Sequence, residues 1–274
     1  MNYQCPLCHQ PLALKEKMFK CEKNHQFDLA KEGYVNLMPA HHKRSKDPGD
    51  NQDMMQARRR FLEGNYYDPM RQEIAQLCAN YTQGTAHQVL DIGCGEGYYT
   101  DQIQKVMQKQ SDNAAVYGLD ISKVAIRYAA KRYTHCHFSV ASSHRLPFAD
   151  ESLDAIVRIY APCKAAELQR VVRENGVILT VTPAGRHLYQ LRERIYQDVR
   201  LHSEEPESIE GYRLEHQKKL NYVMDLKDGA AFDLLQMTPF AWKATDELRE
   251  ELKSTTLFQC EADFMLHVYR KKSL

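Results

Sequence analysis

The stretch Gln88-Val89-Leu90-Asp91-Ile92-Gly93-Cys94-Gly95-Glu96-Gly97 decides the fold. An apolar run ends in an acid and enters a glycine-rich turn, the pattern of a buried strand feeding a helix that starts near Gly97. Gly93, Gly95 and Gly97 allow backbone torsions and close approach that a side chain would block. A lone G-x-G-x-G is weak evidence, and the residues after it strengthen the reading. Val116-Tyr117-Gly118-Leu119 is a second apolar strand ending in an acid, Asp120, placed to hold the hydroxyls of a ribose. Ser122-Lys123-Val124-Ala125-Ile126 reads as a capped helix start. His137 to Ala141 is a third strand, and Leu153 to Tyr160 a fourth, ending at Ala161-Pro162-Cys163-Lys164. Val171 to Val181 reads as a helix end, a turn at Asn175-Gly176 and a fifth strand. Such alternation predicts an α/β fold, a parallel sheet with helices on both faces. Ligands of these sheets lie at the carboxyl ends of the strands, where all these acids and glycines fall.

The chain has 274 residues, 43% hydrophobic and 27% charged, the mix of a globular protein with a sizeable core. No stretch approaches the ~18–20 apolar residues of a membrane-spanning helix, and mean hydropathy is −0.61. The start Met1-Asn2-Tyr3-Gln4-Cys5 lacks the features of a signal peptide, so a cytoplasmic location is expected. Eight Cys in a chain of this length then argue for a reducing compartment. Formal net charge is only +1, but residues 1–60 carry 11 Lys/Arg against 7 Asp/Glu, a net of +4, which leaves −3 for the rest. Neutrality is the average of a basic front and a mildly acidic body.

Three Cys fall in the first 21 residues, as Cys5-Pro6-Leu7-Cys8 followed by Cys21 and then His25. The two-residue gap lets two thiolates face one ion from a tight turn, and a second half-site across a hairpin closes a Cys3His zinc tetrahedron. His9 competes with His25 for the fourth place, but lies next to Cys8 and is poorly set to close it. Met18-Phe19-Lys20-Cys21 and His25-Gln26-Phe27-Asp28-Leu29 read as short strands that bracket a turn. Lysines 15, 17, 20, 23 and 31 make the module basic, and His41-His42-Lys43-Arg44-Ser45-Lys46 continues this into a linker that turns at Asp47-Pro48-Gly49-Asp50. A helix is expected from Asp53 to Phe61, its Arg58-Arg59-Arg60 either a solvated face or a contact for phosphate. Further along, Leu188 to Arg200 reads as a helix. Tyr212 to Leu226 reads as strand, Phe232 to Met237 as helix, and Phe264 to Tyr269 as a last strand that inserts antiparallel. Trp242 reads as core, with stacking on RNA as the alternative, and the tail Arg270-Lys271-Lys272 as a solvated end.

The order D-I-G-C-G-E-G, G-L-D-I-S, L-P-F-A-D-E-S-L-D, N-G-V-I resembles class I S-adenosylmethionine-dependent methyltransferases, a Rossmann-like fold. The combination C-P-L-C-H-Q-P-L, H-K-R-S-K-D-P-G-D, M-M-Q-A-R-R, G-C-G-E-G-Y-Y-T, A-S-S-H-R-L-P-F, R-I-Y-A-P-C-K and L-L-Q-M-T-P-F-A-W narrows this. It resembles the RlmA family of 23S ribosomal RNA guanine-N1 methyltransferases, over nearly the whole chain. The resemblance implies S-adenosylmethionine as methyl donor, Zn2+ on Cys5, Cys8, Cys21 and His25, 23S rRNA as partner and a homodimer. The target it implies is a guanine in a hairpin loop, of the guanine 745 type, although relatives differ in which guanine they modify. It places cofactor contacts on Tyr67, Asp91, Gly93, Gly95, Tyr99, Thr100, Asp120 and His187. The adenine contact falls on Ser142, where the wider class often has Asp. The target base is expected at Tyr160, Ala161 and Cys163. The implied division is a zinc-binding module at 1–36, a basic linker with helices at 37–84 and a methyltransferase domain at 85–274.

Guanine N1 carries a proton and is a poor nucleophile until it leaves, so a base or an anion-stabilising group is required. N1 lies on the Watson–Crick edge, so the guanine must be unpaired or flipped out. Pro162-Cys163 keeps a second chemistry open, attack of a Cys thiolate on C6 of a pyrimidine with methylation at C5. A small-molecule methyltransferase and a catalytically inert zinc-ribbon RNA-binding protein are the remaining alternatives.

Overall fold

A computed structural model of the protein describes residues 2–39, 52–82 and 88–273. The basic linker from His41 and its turn at Asp47–Asp50 lie outside these residues. Three short strands open the chain, β1 (Ala13–Lys15), β2 (Met18–Lys20) and β3 (Gln26–Asp28), in an antiparallel sheet. Strand β4 (Val35–Asn36) then leaves this sheet and pairs parallel with β7 (His137–Val140) of the large one.

The large sheet is built from β5 (Gln88–Ile92), β6 (Ala115–Asp120), β7, β8 (Leu153–Ile159) and β9 (Val172–Pro183), with β10 (Tyr212–Lys227) and β11 (Leu257–Lys271) at one end. Its order is β10-β11-β9-β8-β5-β6-β7-β4. Strands β5 to β9 run parallel, and β11 inserts antiparallel between β9 and β10 as expected. Helices α1 (Gln52–Glu63), α2 (Asp68–Tyr81), α3 (Tyr98–Gln108), α4 (Lys123–Arg132) and α5 (Ala165–Val171) connect these strands or precede them. A four-residue helix, α6 (Tyr189–Arg192), follows β9. Helices α7 (Ala230–Gln236) and α8 (Asp246–Ser254) flank a 3-10 turn at Pro239–Lys243.

The period of two along the strands divides the core. Val89, Val116, Val157 and Leu179 pack with Met70 and Ile74 of α2 and Ile103 of α3. Leu90, Ile92, Leu119, Ile156 and Ile178 point to the other face, with Leu168 of α5 and the front module. That module is therefore not a tethered bead. Tyr3 is buried, with its ring 5.5 Å from those of Phe19, Tyr117 and Phe148, and Gln4 N–H donates to the Pro147 carbonyl at 2.9 Å. Buried Asp101 ties the other side, accepting from Arg71 of α2 at 2.5 Å, Lys105 at 2.9 Å and His135 at 2.9 Å. Among the described residues no helix is long and apolar enough to cross a membrane.

Several expectations are corrected. The helix read over Leu188–Arg200 stops at Arg192, because buried Arg192 turns its guanidinium back onto the carbonyls of His187 and Arg200 and fixes an irregular return. The fifth strand starts at Val172 with no separate turn; Asn175, at φ 60°, is absorbed as a bulge that shifts the pairing with β8. The arginine triplet is neither a bare face nor available to phosphate as it stands. Arg59 is bidentate to Glu96, Arg60 to Asp233, and Arg58 donates to the Met237 carbonyl. In the tail, Arg270 pairs with Glu215, and Lys271 donates to the carbonyls of Gln169 and Val172. Trp242 is not core, at 79% exposed.

Gly118, in the middle of β6, shows how closely α/β packing brings the turn after β5 to its neighbour. A Cβ there would stand 2.6 Å from the Phe138 ring and 2.9 Å from Cys94 Sγ. Gly118→Ala should lower stability by about 1–3 kcal/mol in a denaturant titration, the range for overpacking a core; an unchanged midpoint would show that Phe138 can move aside freely.

Candidate active site and metal centre

The metal centre forms on two turns. Residue 9, after the first Cys pair, and Asn24, between Cys21 and His25, adopt left-handed backbone at φ 62° and 63°, which curls each half-site inward. The Cys5 and Cys21 sulfurs each lie 3.5 Å from His25 Nδ1, and the Cys8 and Cys21 sulfurs are 3.6 Å apart. These are the edges of a tetrahedron around an ion with Zn–S near 2.3 Å and Zn–N near 2.0–2.1 Å, far longer than a disulfide bond. All four ligand atoms fall within 4.8 Å of one another, and His9 lies outside the cluster. Four protein ligands leave no open position, so this is a structural zinc site.

The second site lies at the carboxyl ends of β5, β6, β8 and β9, around a cavity of about 630 Å3. The turn after β5 lines it with Asp91, Gly93, Cys94, Gly95 and Glu96. Gly95 has φ 54° and open space where a Cβ would stand, so a ligand can lie directly against the backbone. Asp120 lines it from the end of β6; its Oδ2 accepts from Gly95 N–H at 3.0 Å and its Oδ1 from Ser122 N–H at 2.8 Å. Asp91 is buried and accepts from the Thr100 hydroxyl at 2.6 Å. Burial pushes its carboxyl up to about 7; the Thr100 bond opposes this and nearby Asp120 adds to it. Two carboxylates and an open glycine turn fit a cationic nucleoside such as S-adenosylmethionine.

The opposite wall holds Tyr67, Tyr99, Tyr160, His187 and His202. The Tyr67 ring is 5.2 Å from Phe264 and 4.9 Å from Phe61, and its hydroxyl meets His187 Nε2 at 3.5 Å. His187 Nδ1 accepts from Asp263 N–H at 3.2 Å, so in the neutral ring the proton sits on Nε2, facing Tyr67. Burial, with His202 and Arg192 nearby, holds its pKa down to about 3. His187 is thus a neutral donor and not a proton acceptor. Tyr160 holds a left-handed backbone at φ 57° where β8 ends, half exposed.

Of the expected cofactor residues, Tyr67, Asp91, Gly93, Gly95, Tyr99, Asp120 and His187 come together around one cavity. Two do not line it. Thr100 is fully buried behind Asp91 and reaches the cavity only through that carboxylate. Ser142 accepts from His144 N–H in its own loop. Of the three target-base candidates, Tyr160 lines the cavity. Ala161 packs against Gly93, where an added Cβ would meet its own at 2.8 Å. Cys163 turns away, its thiol 3.5 Å from the Ser143 carbonyl, and burial pushes the thiol up to about 11. Met55, Arg58 and Leu62 of α1 and Met237–Phe240 also line the cavity, and sequence reading assigns them no such place. The Q-M-T-P-F-A-W motif is the available signal for the second group.

The RlmA N-terminal zinc-ribbon profile matches residues 3–46, and a methyltransferase-domain profile matches residues 84–237. A protein of Bacillus subtilis (strain 168), named as a candidate 23S rRNA (guanine-N(1)-)-methyltransferase, is 32% identical over 268 residues, 93% of each chain. The chain belongs to the RlmA family. A relative from Micromonospora griseorubida, of the same provisional name, is 31% identical and covers 71% of this chain and 70% of its own. The 23S rRNA (guanine(748)-N(1))-methyltransferase of Streptomyces fradiae is 29% identical across 91% of this chain and 89% of its own. Membership fixes the two parts as a zinc ribbon and an S-adenosylmethionine-dependent methyltransferase domain, as the motifs implied.

Elemental analysis should find one zinc per chain. Stripping it with a chelator, or Cys21→Ser, should lower the melting midpoint of the whole chain, since Cys5, Phe19 and Cys21 share a core with Tyr117 and Phe148. A melting curve indifferent to the chelator would show that the metal holds no part of the fold.

Proposed function

We propose that the protein transfers a methyl group from S-adenosylmethionine to N1 of a guanine in a hairpin loop of 23S rRNA, of the guanine 745 type. Family membership along nearly the whole chain carries this reading. In it, residues 1–36 recognise RNA, 37–84 link and cover, and 85–274 hold the cofactor. The enzyme acts in the cytoplasm as a homodimer.

Bound S-adenosylmethionine supplies an electrophilic sulfonium methyl, so the chain's main task is alignment. Asp91 faces the methionine end, held by Thr100, and Asp120 takes the ribose. Gly93 and Gly95 let the cofactor pass against the backbone. Tyr67 and Tyr99 close over it from the other wall. Ser142 lies off the lining, so nothing supports its adenine contact. Tyr160 offers a ring for the guanine where β8 ends. His187 can donate from Nε2 to an acceptor such as a carboxylate or the guanine carbonyl, which stabilises the N1 anion while the N1 proton leaves to solvent.

The pyrimidine C5 reading needs a thiolate at the cavity. Cys163 lies off the lining with its thiol raised, which speaks against it. Primer extension on large-subunit rRNA should show a stop beside the modified guanine that vanishes when the gene is deleted, and its position separates the 745 type from the 748 type. Cys163→Ala should keep most of the activity. A stop that persists in the deletion strain would remove the N1 assignment.

Asp91 gives a pH test. Its carboxyl is stable protonated up to about 7 in the ligand-free fold, against 3.8 ordinarily. The stability this brings is complete below about 4 and lost as pH rises through about 7. A cationic cofactor favours the carboxylate, so binding releases a proton. Affinity for S-adenosylmethionine should rise by up to about tenfold per pH unit below 7 and level off above it. Asp91→Asn should bind more weakly with a flat profile, measured by calorimetry; a sloping profile in the variant would assign the proton elsewhere.

A further inference from the structure

Trp242 is the only Trp of the chain and, among the described residues, the most exposed large apolar one, at 79%. Its exposure does not come from a loose segment. It sits on the 3-10 turn Pro239–Lys243, whose first two residues line the active-site cavity. Phe240 packs edge-on against Tyr196 at 6.1 Å, and Lys243 lies 4.9 Å over the same ring. Ala241 is buried, and Arg249 donates to the carbonyls of Ala241 and Ala244, which pins the backbone on both sides of the indole. Arg58 grips the Met237 carbonyl just before the turn. Among the described residues no ring packs on the indole. A fixed turn that begins on the cavity lining therefore carries its largest apolar group outward two residues beyond that lining, with cations at its base.

A guanine whose N1 enters that cavity must leave the stack of its loop, and its neighbours lose a stacking partner. An indole on a pinned turn beside the cavity can replace that partner without reading sequence, since every base has a π-face. We propose that Trp242 is a stacking platform for an unpaired nucleobase beside the methylated guanine. This rests on the rRNA reading of the site.

The lone indole reports on itself. In the full-length, zinc-loaded protein, titration with a synthetic 23S rRNA loop hairpin should quench Trp emission saturably, in step with binding followed by anisotropy of labelled RNA. A fully paired duplex of equal length should quench far less. Trp242→Ala should raise KM for the hairpin by about 5- to 100-fold. That loss should fall on KM more than on kcat, with affinity for S-adenosylmethionine retained and Trp242→Phe restoring much of it. Hairpin binding that leaves the emission unchanged would overturn the platform and leave the enzyme reading standing. Emission that follows protein concentration and not RNA would also overturn it, giving the surface to a second copy of the chain. A hairpin that does not bind at all would remove the rRNA reading and the platform with it.

Discussion

A single carboxylate holds the cofactor edge of the sheet in register. Asp120 ends β6, and its two oxygens accept N–H groups from Gly95 in the turn after β5 and from Ser122 ahead of α4. Two loops that belong to different βα units are thereby fixed to one another. Ser122 in turn caps α4 through Ala125 N–H. The glycine turn can follow this path because Gly93 and Gly95 adopt left-handed backbone, at φ 71° and 54°. Parallel topology brings the strand ends to one edge; Asp120 sets the shape of the groove between them.

The same edge concentrates electrostatic strain. Asp91 is buried with another acid nearby, and His187 is buried as a neutral ring in a cluster of tyrosines. Burial makes each unfavourable as a charge, and a buried charge is tolerated only when something pairs with it. A cationic ligand relieves the first. The second stays a donor whatever enters, because Asp263 N–H occupies its other nitrogen. The site is therefore tuned toward a cofactor that carries positive charge and a substrate that gains negative charge.

The parts legible in the sequence are those whose cause is local. Apolar runs ending in Asp91 and Asp120 mark strands and their business ends, and the C-x2-C spacing marks the metal centre. The illegible parts depend on distant partners. Arg59 and Arg60 look like a free basic face until Glu96 and Asp233 arrive from 37 and 173 positions away. The helix pattern of Leu188, Leu191 and Ile195 does bury the first two and half-bury the third, but the turn of Arg192 onto its own neighbours ends the helix early, and no periodicity reports that. Trp242 reads as core because large apolar residues mostly are; its exposure comes from the pinned turn beneath it.

The docking of the ribbon on the large sheet has a consequence in time. Its metal ligands lie between Cys5 and His25 and can be satisfied as soon as His25 has left the ribosome. Its apolar side cannot, because Tyr3 packs on Tyr117 and Phe148, more than a hundred residues downstream. Contacts of such separation form late, after a large loop has closed. During synthesis the ribbon is thus a metal-clamped fragment with a bare apolar flank. It reaches its final packing only when the third parallel strand and the loop after it have been made.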